Sequence, residues 1–305
     1  MPGQRRRLIA EYRELLLVAV AAVLGLTVQS PLRTLVGHQG IDVLLVVLVF
    51  STGLGIEGKS LRALPSLWRQ LTLAVLVGIT LLPALSWLVS HLVAPGALRD
   101  GVATIGLAPC EIASIATTSM AGGEVALAGG VLIGSTIATV AVGGPILAAE
   151  SAGATIAPWH IVVNLLLIVA APLVAGVVVA ALIRLPPRIE TTASNVSALS
   201  VAALVALVAS EVRLSRAYLP VLVAVVLFVA ATALIGRILG LANRAPVMKA
   251  IFLTISMRDF AIAAALATAA FGPRSAAPLG LYGVAVLVWG TGSAGFMRAR
   301  APSPT

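Results

Sequence analysis

Charge is scarce in this chain of 305 residues: only 10% are Asp, Glu, Lys or Arg, while 60% are hydrophobic. A soluble domain of this length needs far more polar surface, so the class is a polytopic membrane protein, and a mean hydropathy of +1.09 agrees. Aromatic residues are also few, at 4%, which disfavours a broad stacking pocket for large planar substrates. The single cysteine, Cys110, excludes an internal disulfide and any multi-cysteine metal site. His38, His91 and His160 are far apart and near span ends, unlike the close spacing a zinc site needs. There is no phosphate-loop motif for an ATP-driven pump, no H-E-x-x-H pattern and no paired Ser and His for an intramembrane enzyme. The chain is therefore read as a non-enzyme without a resident cofactor or metal.

What it has instead is long apolar stretches. About 20 apolar residues cross a bilayer as a helix, and ten segments qualify: approximately Glu14–Leu35, Gly40–Gly55, Gln70–Ala94, Val102–Met120, Glu124–Ala149, Pro158–Ile183, Thr191–Val212, Ala217–Leu239, Pro246–Phe271 and Ala277–Phe296. The second is short, and Ser194, Asn195, Ser197 and Ser200 dilute the seventh. The net charge of +9 comes from basic residues in the connections, where they set orientation, and not from a soluble basic domain for nucleic acid. The Arg5-Arg6-Arg7 cluster reads as the cytoplasmic start of the first span. With the N-terminus inside, fourteen Lys and Arg fall on the inner side and five on the outer, and Arg258 alone is left within the membrane. This bias favours ten spans with both termini cytoplasmic, in a cell membrane. Five spans per half, residues 1–152 and 153–305, place the halves in opposite orientations, an inverted repeat of the kind secondary transporters use.

Two apolar spans carry matching polar breaks. One reads Leu107-Ala-Pro-Cys-Glu-Ile-Ala-Ser114 and the other Ile255-Ser-Met-Arg-Asp-Phe-Ala-Ile262. Glu111 and Asp259 correspond at an offset of 148 residues, each in the fourth span of its half. Charges at bilayer depth face one another or a pathway, and paired breaks in two halves point to a substrate site at the repeat interface. Glu111, Ser114 and Thr118, at i, i+3 and i+7, share one helical face. Ser119, Ser135, Thr136 and Thr139 suit helix packing better than ligand binding. Glu111, Arg258 and Asp259 form the sharpest constellation, either a transport site or an ion cluster that locks crossing helices. Trp68 and Trp159 fit interfacial anchoring, whereas Trp87 and Trp289 lie deeper.

At these residues the chain resembles the bile acid:sodium symporter superfamily. The resemblance is carried by Gly53-Leu-Gly-Ile56, by Pro109 to Leu127 closing in Ala121-Gly-Gly-Glu-Val-Ala-Leu127, by Gly134-Ser-Thr136, and by Ser256-Met-Arg-Asp-Phe-Ala-Ile-Ala-Ala-Ala-Leu266 with Phe271-Gly-Pro273. It implies a core domain of spans three to five and eight to ten, and a panel of spans one, two, six and seven. It also implies that spans four and nine break and cross near the midplane. Where sodium-coupled members carry polar sodium ligands, this chain matches only Ser114. The other positions hold Ile115, Ala128, Leu132, Thr254 and Arg258.

The expectation is an alternating-access carrier of a small organic anion. Arg258 would stand in place of a sodium ion and hold the substrate's negative group, with Glu111 and Asp259 tuning charge and one of them carrying an exchangeable proton. Ser114, Thr118, Thr254 and Ser256 would supply hydrogen bonds beside Met257, and sodium or a proton would be the coupling ion. The partners implied are the anion and membrane lipid. An alternative rests on arsenite exporters of the same superfamily, which resemble the chain at Cys110 and Asp259. Cys110 would then be a metalloid ligand, although Pro109 and Arg258 are foreign to those exporters.

Overall fold

In a computed structural model, residues 16–37, 40–55, 63–150, 163–183, 186–212 and 216–300 are described. Among them the secondary structure is helical, with a single isolated pair of bridged residues. The Arg5-Arg6-Arg7 cluster, His38, Lys59, Arg62, Trp159, His160, Arg184, Arg213 and the boundary between residues 152 and 153 lie outside the described residues.

In chain order the helices are α1 (Leu16–Thr27), α2 (Gln29–Gly37), α3 (Gly40–Leu54), α4 (Trp68–Ser90), α5 (Ala97–Thr104), α6 (Ala113–Met120), α7 (Val125–Ala138), α8 (Gly144–Glu150), α9 (Ala171–Leu182), α10 (Pro187–Ser210), α11 (Tyr218–Gly240), α12 (Ala245–Ser256), α13 (Phe260–Phe271) and α14 (Ala277–Ala299). A 3₁₀ turn, Leu64–Leu67, leads into α4, and another, Ile105–Leu107, extends α5. Among the described residues six continuous helical stretches are long and apolar enough to cross a membrane: Leu64–Ser90, Val125–Leu147, Val163–Leu182, Thr191–Ser210, Tyr218–Gly240 and Pro273–Ala299. Four shorter apolar helices are Leu16–Thr27, Gly40–Leu54, Ala245–Ser256 and Phe260–Phe271.

Two expected spans are thus not continuous helices. The span expected over Val102–Met120 is α5 with its 3₁₀ extension, then a break, then α6; that over Pro246–Phe271 is α12, a break, and α13. Each half is too short to cross alone. The cause is local. Pro109 cannot donate to a helix ladder, and Met257 and Asp259 take extended backbone angles. Other differences are smaller. The third span begins six residues early, at Leu64, and Thr139–Gly143 and Leu166–Ala170 widen into π-helix. The diluted seventh segment forms one helix of 24 residues.

Packing follows membrane rules. Lipid is as apolar as leucine, so helices associate where small residues let backbones approach. A Cβ at Gly53 of α3 would lie 2.6 Å from the Leu173 carbonyl and 3.0 Å from the Gly176 Cα of α9, and one at Gly176 would overlap the Phe50 carbonyl. Gly236 and Gly240, one turn apart on α11, lie against Phe252 and Met248 of α12. Gly130 and Gly134 of α7 lie against Leu64 and against Leu71 and Val75 of α4. Helix α11 has two faces: Leu219, Leu222, Val226 and Leu234 are exposed, while Val221, Ala224, Val225 and Phe228 are buried. In the whole, α3 packs on α2, α9 and α10, while α4 packs on α5, α7, α11 and α12, and α11 packs on α12. Helix α14 touches both sets, through α10 and through α11.

Candidate functional site

The two breaks meet. Cys110 and Arg258 form an antiparallel bridge, flanked by two backbone hydrogen bonds of 2.9 Å: the Glu111 N–H to the Met257 carbonyl, and the Asp259 N–H to the Pro109 carbonyl. Adding 148 to residue 111 and subtracting it from residue 257 gives 259 and 109, which turns the first bond into the second, so the junction has a local two-fold exchange. Broken helices expose backbone groups that lipid cannot satisfy, and the chain meets that need internally. The Cys110 N–H donates to the Ser135 hydroxyl of α7 (3.1 Å), and the Thr139 hydroxyl donates to the Leu107 carbonyl (3.0 Å). The Arg258 N–H donates to the Tyr282 hydroxyl of α14 (2.9 Å).

Side chains at an extended junction alternate between faces. Cys110 and Arg258, directly opposed, share one face; Glu111, Met257 and Asp259 take the other. Arg258 reaches α4, where its Nη2 donates to the Gly78 carbonyl at 3.2 Å. Gly78 suits this approach, because a Cβ would lie 3.1 Å from Nη1 and press on the guanidinium. On the opposite face both acids converge on the N-terminus of α13. Asp259 caps it, its Oδ1 accepting from the Ala261 and Ile262 amides at 3.0 and 2.8 Å, as an N-cap aspartate does. Glu111 Oε2 accepts from the Phe260 amide at 3.3 Å.

All three charged residues are buried: Glu111 is 1% exposed, Arg258 2% and Asp259 0%. Even so, Arg258 makes no ion pair with either acid within 4.0 Å. Among the described residues its Nε has no hydrogen-bond partner, and neither has Asp259 Oδ2. The junction is thus held by backbone bonds and caps rather than by a closed ionic lock.

The remaining expected site residues fall into two groups. Met257 and Ser114 are at the junction. The Met257 sulfur accepts from the Thr117 hydroxyl at 3.7 Å, its side chain lies against Gly290 of α14, and the Ser114 hydroxyl meets the Cys110 sulfur at 3.9 Å. Thr118, buried on α6, has no partner for its hydroxyl among the described residues. Thr254 and Ser256 instead donate to carbonyls of their own helix, Ala250 and Leu253 respectively. Sequence reading missed Gly78 and Tyr282, the two groups that hold Arg258. Tyr282 had one faint signal, a hydroxyl in an otherwise apolar span; Gly78 had none. Ser135 and Thr139, read as packing residues, also cap the broken backbone. Among the described residues no group of three or more His, Cys, Asp or Glu could hold a metal.

Residues 42–222 match the sodium bile acid symporter family. Over 278 residues the chain is 28% identical to YocS of Bacillus subtilis (strain 168), an uncharacterized sodium-dependent transporter; the match covers 88% of this chain and 85% of that protein.

Proposed function

The chain belongs to the sodium bile acid symporter family, and on that premise we propose that this integral membrane transporter carries a small organic anion by alternating access, without sodium. The observation that carries the reading is Arg258: a buried, permanent cation at the crossing of two broken helices, with one N–H still without a partner among the described residues. The positive dipole end of α13 is taken up by Asp259 and Glu111, whereas that of α6, which also begins at the crossing, adds to the attraction of Arg258 for an anion. The same charge repels a second cation placed beside it. YocS is described as sodium-dependent; on this reading Arg258 relieves the present chain of that requirement.

The moving parts would be a panel of α1, α2, α3, α9 and α10 against a core of the remaining helices. The packing of α3 on α9 and α10, and that of α4 on α5, α7, α11 and α12, support that division. On the charge pattern of the connections, the protein sits in the cell membrane with both termini in the cytoplasm.

The deciding experiment is the thermal stability of the purified protein in sodium chloride against choline chloride at equal ionic strength. A ligand bound only by the folded state raises apparent stability by mass action. Equal melting temperatures are expected. A saturable rise with sodium would show a surviving ion site and overturn the sodium-free reading. In proteoliposomes, uptake of pyruvate, as a small-carboxylate probe, is expected to be equal in the two salts.

A further inference from the structure

We propose that Glu111 and Asp259 bind one proton between them at neutral pH, making the acidic face of the crossing a proton site. Three charged side chains are buried here, two acids and one base, and they cannot balance: Arg258 offsets one negative charge and leaves one over. An uncompensated carboxylate in an apolar interior is costly enough that the group takes up a proton instead. The N-termini of α6 and α13 offset part of the excess with fractional positive charge, and no further cation faces the pair. Cys110 and Tyr282 are the remaining titratable side chains at the crossing; both are neutral when protonated, and Tyr282 already serves as acceptor to the Arg258 amide. Helix α4 contributes a carbonyl, α7 a hydroxyl, and α12 the hydroxyls of Thr254 and Ser256, none of them a cation. Lys249, the lysine of α12, is spent on the Ala121 carbonyl at 2.6 Å.

Geometry also shows where the proton goes. The α13 N-terminus provides three amides to the pair, and all three are used: Phe260 on Glu111, Ala261 and Ile262 on Asp259 Oδ1. Asp259 Oδ2 is fully buried and receives no donor from the described residues. A carboxylate oxygen without a donor at that depth is open to a proton that Asp259 shares with Glu111. Two acids that share one site titrate as a pair, so the proton belongs to both. Arg258 lies on the opposite face of the same two extended segments, close enough for charge on one face to be felt on the other. An anion arriving at Arg258 restores the negative excess and favours proton binding behind it. As the coupling ion, the proton rests on the transport reading above; as a bound proton, it does not.

The test is infrared difference spectroscopy of the purified protein through a pH titration. The wild type is expected to show the C=O stretch of a buried protonated carboxyl at neutral pH, lost on alkaline titration. Both Glu111→Gln and Asp259→Asn should lack the band, because a single remaining carboxylate is balanced by Arg258. A wild type without the band at neutral pH overturns the proposal, as does a band that survives in either variant. If either variant fails to fold, separate ¹³C labelling of glutamate and aspartate carboxyls in the wild type decides: a shared proton requires both labels to shift the band, and a shift with one alone overturns sharing. Absence of the band leaves anion transport standing, and absence of pyruvate uptake with the band present leaves the proton standing.

Discussion

At the scale of single residues, Arg258 has the most to lose. Replacing it by glutamine leaves two buried acids without the cation that offsets them, and uncompensated buried charge destabilises the fold. The expected outcome for Arg258→Gln is a large drop in melting temperature together with loss of anion uptake. Arg258→Lys keeps the charge but not the planar fork, so it should recover stability more than uptake. Equal uptake by wild type and Arg258→Gln would remove the arginine from the transport reading. Tyr282→Phe is a quieter change. It strips the acceptor from the Arg258 amide and leaves a buried N–H unmatched, a loss of about 1–3 kcal/mol visible as a lower melting temperature. Cys110→Ser keeps a small side chain at a fully buried position. Anion uptake should survive it, whereas export of a metalloid through the thiolate would fail.

At the scale of elements, the breaks were legible in the sequence because charge is costly at bilayer depth, so a polar run persists inside an apolar span only where it faces a partner or a pathway. Glu111 and Asp259 marked the breaks, and the resemblance to the symporter superfamily implied that the two broken spans cross. Less was legible about their partners. The Gly78 carbonyl is 180 residues from Arg258 in sequence and has no side chain to announce it. Ser135 and Thr139 looked like packing residues because a hydroxyl that caps a distant break carries the same local pattern as one that fills a helix contact. The π segments were invisible for a similar reason, since hydropathy does not register one extra residue per turn. Close helix contacts give a prediction of their own. At Gly53 and Gly176 the obstacle to a side chain is backbone, which cannot rotate away. Gly53→Ala and Gly176→Ala should each cost ~1–3 kcal/mol by overpacking. Gly129, with open space where a Cβ would be, should tolerate alanine with no loss in the same melting assay.

At the scale of the whole molecule, orientation can be checked directly. Cys110 is fully buried, so the folded wild type should resist a membrane-impermeant maleimide, and single cysteines added elsewhere report their own side. Arg216 and Arg244 are exposed near opposite ends of α11. Arg216→Cys should label from outside intact cells and Arg244→Cys only after the membrane is opened; the reverse pattern would invert the topology. The exchange of the two backbone bonds at the crossing has a broader consequence. Seen from either end, the junction presents the same pair of peptide groups and an acid in the same place, so its framework contains no arrow. The side chains break the symmetry: Cys110 faces Arg258, and both acids turn to the N-terminus of α13. On the transport reading proposed above, a backbone pivot of this kind sets no direction of its own, and net flow would follow the gradients the cell maintains.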